Sequence, residues 1–363
     1  MCGIAGIVTV DGRAPPTAAL AALSDALAHR GPDGAATRIC GGVGLAHRRL
    51  AVIDLATGEQ PLVGPGGLSL VANGEIYNYL ELKRDVLRQA PFATQSDCEV
   101  ILHLYRAVGL DFVQHLRGMY ALAMHDPATD TVILARDPFG IKPLYYTQNS
   151  ELFAFASEPQ ALIAAGLSQA RIEDRALGEL LQLNFTTGAD TIFAGVHRLL
   201  PGELICVRGG RIVERRRTLA LPDRQPRRLG EAQALQQYDA LFRDSVDIHQ
   251  RSDVPYGLFL SGGMDSRSIL AAMAQHGPER VLAYTASFPE VSARDEYSRA
   301  QQAAGLFGAA HVKVEVTHDH FWRLSPSAIA AMDDPVADPA VLPTYVLAAE
   351  ARKDVKVVLC GEG

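Results

Sequence analysis

Short apolar runs separated by turn signals fill the first two hundred residues. The runs at 3–10, 43–55, 68–76, 120–126, 131–137 and 152–158 carry the apolar density of β-strands, and Asp11-Gly12 and Gly66-Gly67 mark turns between runs. Apolar positions recur at helical spacing only over 17–29 and 97–109. Many strands with few helices predict a layered α+β domain over residues 1–205. The stretch 208–228 is rich in Arg and Pro with little apolar periodicity, so residues 206–229 are expected to form a solvated connection. From 230 onward the pattern changes. Helices are expected at 231–249, 266–277, 295–308 and 342–354, and strands at 254–260, 281–288, 311–316 and 355–360. Such alternation predicts a parallel sheet with crossover helices, an α/β domain over residues 230–363. No internal repeat or low-complexity tract interrupts either part.

Composition narrows the function classes. The 363 residues are 48% hydrophobic and 21% charged, enough apolar material for two cores. A net charge of −7 argues against a nucleic-acid partner, because phosphate affinity needs a basic surface. No apolar run is long enough to span a bilayer, so no membrane partner is expected. The start, MCGIAGIVTV, lacks the charged and long apolar regions of a secretory signal. Five scattered cysteines, Cys2, Cys40, Cys98, Cys206 and Cys360, give neither a disulfide framework nor a zinc spacing. A reduced, cytoplasmic protein is expected.

Two places carry chemistry. Removal of Met1 makes Cys2 the first residue, with a thiol and a free α-amine on one carbon. An α-amine titrates at about 7.7–8.0, so it serves as a general base near neutral pH. That is the N-terminal-nucleophile solution to acyl transfer. Further on, the apolar run 254–260 leads into Ser261-Gly262-Gly263-Met264-Asp265-Ser266 and then a helix. A strand, a Gly/Ser loop and a helix N-terminus together aim backbone N–H groups at an anion. No Lys follows the glycines, so this is not a GxxxxGK[ST] loop.

Around Cys2, the segments Met1 to Gly6, His29-Arg30-Gly31-Pro32-Asp33-Gly34, 47–54, Asn73-Gly74-Glu75-Ile76-Tyr77-Asn78, Ser96-Asp97-Cys98-Glu99, 135–146 and Ala156-Ser157-Glu158 resemble the class II glutamine amidotransferases in order and spacing. The resemblance implies an αββα sandwich of the Ntn-hydrolase type, with Cys2 attacking the side-chain amide of glutamine. By the same resemblance Asn73 and the N–H of Gly74 form the oxyanion hole, Arg49 holds the α-carboxylate of glutamine, and Glu75 and Asp97 hold its α-ammonium. Arg48 is the ambiguous neighbour; Arg49 is preferred because the family's Arg directly precedes the Leu of this segment. Segment 135–146 is expected to serve folding and packing rather than chemistry. His29 and His47 are expected to be structural hydrogen-bonding residues, and the remaining cysteines inert thiols.

The second half resembles the ATP-pyrophosphatase domain of asparagine synthetases, through SGGMDS, 252–257, Asp295-Glu296, His311, 334–339 and 355–363. The resemblance implies ATP as co-substrate, with Phe259, Leu260, Ala286 and Phe288 near the adenosine. Ser261, Gly262, Gly263 and Ser266 face the phosphates, Asp265 is a ligand of Mg²⁺, and Glu362 is placed for proton transfer. Arg267 stands where the family has a second Ser and adds a cation to the loop. The family continues beyond Gly363 with a further acidic motif and a helical segment, so the α/β domain is expected to be C-terminally incomplete, with an uncovered final strand that favours pairing as a homodimer. The reaction implied is transfer of ammonia from glutamine to aspartate with release of AMP and pyrophosphate. Three alternatives stand beside it: the same chemistry on another carboxylate, a cyclase of the β-lactam synthetase type, which an intact glutamine-binding set disfavours, and a glutaminase-only or non-catalytic module.

Overall fold

A computed structural model describes residues 1–221, 226, 228–276, 280–290 and 296–361. Asp295, Glu362 and Gly363 lie outside the described residues. The chain divides into two units: Met1–Arg224 with Asp333–Ala337, and Gln225–Met332 with Asp338–Gly363.

The first unit runs β1 (Gly3–Thr9), α1 (Thr17–Ala26), β2 (Gly34–Cys40), β3 (Val43–Arg49), β4 (Leu62–Val63), β5 (Ser69–Ile76), α2 (Tyr79–Asp85), α3 (Glu99–Val108), β6 (Gly118–Asp126), β7 (Thr131–Arg136), β8 (Tyr145–Gln148), β9 (Leu152–Ala156), α4 (Pro159–Ala164), α5 (Asp174–Leu183), β10 (His197–Arg198), β11 (Glu203–Arg208) and β12 (Arg211–Arg217). Two six-stranded sheets form, ordered β10-β8-β9-β1-β3-β2 and β12-β11-β7-β6-β5-β4. Within each, every paired strand is antiparallel.

Side-chain alternation sorts each strand between layers. Ile4 and Val8 of β1, Val43 and Leu45 of β3 and Val71 of β5 share the core between the sheets. Ala5 and Ile7 instead pack with Leu20 and Leu23 of α1, and Leu70 and Ala72 with Ile101 and Leu104 of α3. The layers form an αββα sandwich. With both faces covered, β1 is buried at every residue, which is why it reads as a continuous apolar run.

The expected connection at 206–229 begins too early. Residues 206–217 are the end of β11 and all of β12, a hairpin on the sheet edge. Strand β12 alternates, with Ile212 packed on the inter-sheet core and Arg211, Arg216 and Arg217 exposed. An edge strand guarded by charge looks like a solvated linker in sequence.

The second unit contains α6 (Glu231–His249), β13 (Tyr256–Phe259), α7 (Met264–His276), β14 (Leu282–Ser287), α8 (Tyr297–Leu306), β15 (Ala310–Glu315), α9 (His318–Ala330), α10 (Val341–Ala351) and β16 (Val357–Cys360). Its sheet is parallel, ordered β15-β14-β13-β16. Helices α6, α7 and α8 cover one face, where Val246, Leu270 and Ala300 share a core with Leu258. Helix α10 covers the other through Leu347 and Ala351 against Tyr284 and Val314. The chain leaves β13 toward β14 and later returns to its opposite side as β16, so the strand order reverses at β13. In open α/β sheets that switch point, at the strands' carboxyl ends, is where ligands bind.

Candidate active site

Alternation brings the first constellation together. Cys2 precedes β1 and shares the parity of Ile4, so its side chain faces the space between the sheets. On β3, His47 and Arg49 share the parity of Val43 and Leu45. On β5, Asn73 and Glu75 share that of Val71. Cys2 Sγ accepts the N–H of Leu50 at 3.3 Å, and Glu75 and Arg49 both lie within electrostatic reach of the thiol. Burial, first of several causes, pushes the thiol pKa up.

Arg48 and Arg49 part company at the end of β3. Arg48 points the other way, its Nε donating to the carbonyl of Ser24 at 2.9 Å and its guanidinium pairing with Asp25 of α1. Arg49 donates to the carbonyls of Ile53 and Asp54 in the loop after β3. Asp54 ties that loop to the one before α3. Its carboxylate accepts the N–H of Thr57 at 2.9 Å and that of Gln95 at 2.9 Å. The second loop then carries Asp97, which is buried and accepts the N–H of Ile76 at 2.6 Å. Burial raises the pKa of Asp97, against that hydrogen bond.

Two donors point from β5. Asn73 is 1% exposed, and its side-chain Nδ2 has no hydrogen-bond partner among the described residues. Gly74 is paired with Tyr120 of β6, but Tyr120 spends its carbonyl on the N–H of Asp137 (2.8 Å) and its N–H on the Asp137 carboxylate (3.3 Å). Gly74 and Tyr120 therefore form a non-hydrogen-bonded pair, and the N–H of Gly74 is turned toward the far edge of β5. Along that edge the N–H groups of Ala72 and Ile76 are capped by Gln60 and Asp97. Glycine is needed at 74 because a Cβ there would lie 2.2 Å from the carbonyl oxygen of Met119.

Three residues near Cys2 were quoted in the motifs without a role. Arg30 Nε donates to the carbonyl of Cys2 at 3.0 Å, and its Nη1 to Glu158 at 2.7 Å. Lys142 is buried, with Nζ 3.3 Å from the sulfur of Met1, and burial lowers its pKa. Segment 135–146 thus reaches Met1 and the surroundings of Cys2 as well as shaping the fold. The Met1 amine is lowered to about 6, mainly by burial. His29 pairs with Glu158 at 2.9 Å, the structural role expected of it. His47 is buried and lowered to about 4, by burial first. Cys98 is buried and its thiol pKa strongly raised, chiefly by burial, which suits an inert thiol.

The second constellation occupies the switch point. A cavity of about 550 Å³ is lined by Phe259 and Leu260 at the end of β13, by Ser261, Gly263, Asp265 and Ser266, and by Ala286 and Phe288 at the end of β14. Gly361, after β16, also lines it, and a Cβ there would lie 2.6 Å from the N of Ser266. Ser266 is buried and stitches the loop, its Oγ 2.9 Å from that of Ser261. Gly262 does not line the cavity. Its N–H donates to Glu296 at 3.1 Å, which brings that carboxylate, unassigned in sequence, to the cavity wall. Arg267 adds no cation to the cavity. It turns back to the carbonyl of Gly263 at 2.9 Å and lines a separate cavity with Met264 and Arg299. Among the described residues no group of three or more His, Cys, Asp or Glu is disposed to hold a metal. Asp265, in the first turn of α7, still suits Mg²⁺, which binds through one or two carboxylates together with substrate phosphates. No described helix is long and apolar enough to cross a membrane.

Residues 1–217 match the family described as glutamine amidotransferase domain, and residues 237–363 that described as asparagine synthase. A putative asparagine synthetase (glutamine-hydrolyzing) of Mycobacterium tuberculosis is 38% identical over 388 residues, covering 100% of this chain and 59% of the relative. A putative asparagine synthetase (glutamine-hydrolyzing) 2 of Methanocaldococcus jannaschii is 31% identical over 386 residues, covering 100% of this chain and 74% of the relative. A protein of Gibberella zeae named amidase chry2 is 30% identical over 395 residues, covering 100% of this chain and 58% of the relative. The chain thus spans about three fifths of the length of the mycobacterial relative.

Proposed function

The chain belongs to the glutamine-hydrolysing asparagine synthetase family, and from that premise we propose that its first unit hydrolyses glutamine with Cys2 as nucleophile. The observation that carries the proposal is the buried Nδ2 of Asn73, which has no partner among the described residues and faces the same inter-sheet space as Cys2. A buried donor left unsatisfied costs stability, and a site built for an oxyanion has reason to keep one.

Removal of Met1 frees the α-amine of Cys2. The amine takes the thiol proton, and sulfur attacks the carboxamide carbon of glutamine. The oxyanion is received by Asn73 Nδ2 and the N–H of Gly74. Collapse expels ammonia, whose nitrogen takes its proton from the α-ammonium of Cys2, and leaves a glutamyl thioester that water converts to glutamate. Arg49 is assigned the α-carboxylate of glutamine, and Glu75 and Asp97 its ammonium.

The second unit is proposed to bind ATP in the cavity at the ends of β13, β14 and β16, with Asp265 as a ligand of Mg²⁺. When bound, the ion would neutralise charge on the phosphates. A substrate carboxylate attacks the α-phosphorus, pyrophosphate leaves, and ammonia displaces AMP from the acyl-adenylate. Aspartate is the proposed acceptor on family grounds. The amidase name among the relatives keeps another carboxylate as the second reading. The test is to supply glutamine, ATP and Mg²⁺ with aspartate or a panel of carboxylates, and to measure glutamate, pyrophosphate and amide separately. Amide formed in step with pyrophosphate from aspartate supports the first reading. Turnover restricted to another acid selects the second.

A further inference from the structure

The first unit is completed by five residues from late in the chain, Asp333–Ala337, which in sequence lie between α9 and α10. Their attachment is polar and specific. Asp334 is 16% exposed and forms an ion pair with Arg198, itself 14% exposed. Tyr145 donates to the same carboxylate at 3.2 Å and Thr186 at 3.4 Å. The N–H of Ala337 donates to the carbonyl of Asn184 at 2.8 Å.

The neighbouring Asp333 shares a hydrogen bond with Glu158. Glu158 also receives Arg30 Nη1 at 2.7 Å and His29 Nε2 at 2.9 Å. Arg30 in turn holds the Cys2 carbonyl through its Nε at 3.0 Å. Burial, and then the charge of Glu158, push the Asp333 carboxyl well above the usual carboxylate range. Asp333 is therefore the member that carries a proton and donates it to Glu158, which also accepts from Arg30.

We propose that Asp333, anchored by Asp334 on Arg198, is a positioning residue for the nucleophile, acting through Glu158 and Arg30 on the backbone of Cys2. The amine and the thiol of Cys2 hang from one Cα, so fixing its carbonyl fixes the frame in which one takes the other's proton. Misplacement of such a frame by about 1 Å costs up to about a hundredfold in rate. Glutamine hydrolysis would thus require a piece of chain that leads, three residues later, into Ala340 of the nucleotide cavity. This rests on Cys2 being the glutaminase nucleophile.

The test uses the full chain and two readouts: glutamate release, and the rate at which iodoacetamide alkylates Cys2, followed by mass spectrometry. Asp333→Ala is expected to lower kcat about ten- to a hundredfold with the KM for glutamine within about twofold of wild type, and to slow alkylation of Cys2. Asp333→Asn, whose amide still donates to Glu158, recovers most of the lost turnover. Arg30→Lys keeps a cation but cannot span both partners. It gives the same loss of kcat at unchanged KM, and it decides the matter if the alanine variant does not fold. Wild-type kcat in Asp333→Ala, or an Asp333→Asn variant as slow as the alanine one, overturns the proposal. A wild-type chain that releases no glutamate overturns instead the reading on which it rests.

Discussion

Arg48 and Arg49 are adjacent in sequence and a full layer apart in the sandwich. One fixes β3 to Ser24 and Asp25, and the other lies within electrostatic reach of the Cys2 thiol. Arg49→Lys should therefore raise the KM for glutamine about tenfold or more with a smaller fall in kcat, since lysine loses the bidentate grip on a carboxylate. Arg48→Lys should leave both constants near wild type. Steady-state kinetics on the two variants decides the assignment. Asn73→Ala should lower kcat about 10²–10³-fold, the cost of one oxyanion donor, with little change in KM. At this scale the sequence displayed the residue types: Glu75 and Arg49 lie within electrostatic reach of Cys2, Asn73 shares the parity of Val71 in the inter-sheet core, and Asp97 caps the N–H of Ile76. It did not reveal Arg30, Glu158 or Lys142 as neighbours of Cys2, because their motifs name residues without saying which atoms meet. It also misled about Arg267, whose guanidinium turns back to the carbonyl of Gly263 just before α7.

Strand β5 shows how an element serves both fold and site. Gly74 lets β5 approach β6, and its non-hydrogen-bonded pairing with Tyr120 leaves its N–H at the strand edge. Gly74→Ala should cost about 1–3 kcal/mol by overpacking, read as a lower melting temperature whether or not the protein is active. Strand β3 carries a second test. His47 sits mid-strand with its pKa held near 4, chiefly by burial, against an ordinary value of 6.5. As pH falls from about 6.5 to 4 the unfolded chain takes up this proton and the folded chain does not. Stability thus declines across that window, by about 3 kcal/mol at most from this residue. His47→Gln should flatten the slope of stability against pH there, measured by urea unfolding. An unchanged slope would mean that His47 protonates readily in the fold. Strands with clear apolar runs and helices with clear periodicity were legible, among them α1, α3, α6 and β13–β16. Strand β12 was not, because edge protection by arginines removes the apolar density that marks a strand.

At the scale of the whole chain, two cores with different layer rules were legible from the change of pattern near residue 230. Residues 333–337 were not, since their place in the first unit depends on long-range ion pairing with Arg198 that no local pattern encodes. The division into two units gives a ligand test independent of turnover. ATP with Mg²⁺ at a hundred times its dissociation constant should stabilise the second unit by about 2.7 kcal/mol. Asp265→Ala should weaken the Mg²⁺-dependent part of that shift in a thermal melt. No shift in the wild type would contradict the assignment of the cavity to ATP.

The central claim is that Cys2, freed of Met1, is the nucleophile that releases ammonia from glutamine. The direct measurement is glutamate formation by the Met1-free chain and by Cys2→Ala, with intact mass recorded during turnover. The account predicts glutamate from the first with a transient glutamyl adduct on Cys2, and neither product nor adduct from the second, which loses only one sulfur atom and keeps its melting temperature. Glutamate released by Cys2→Ala at the rate of the Met1-free chain would contradict it.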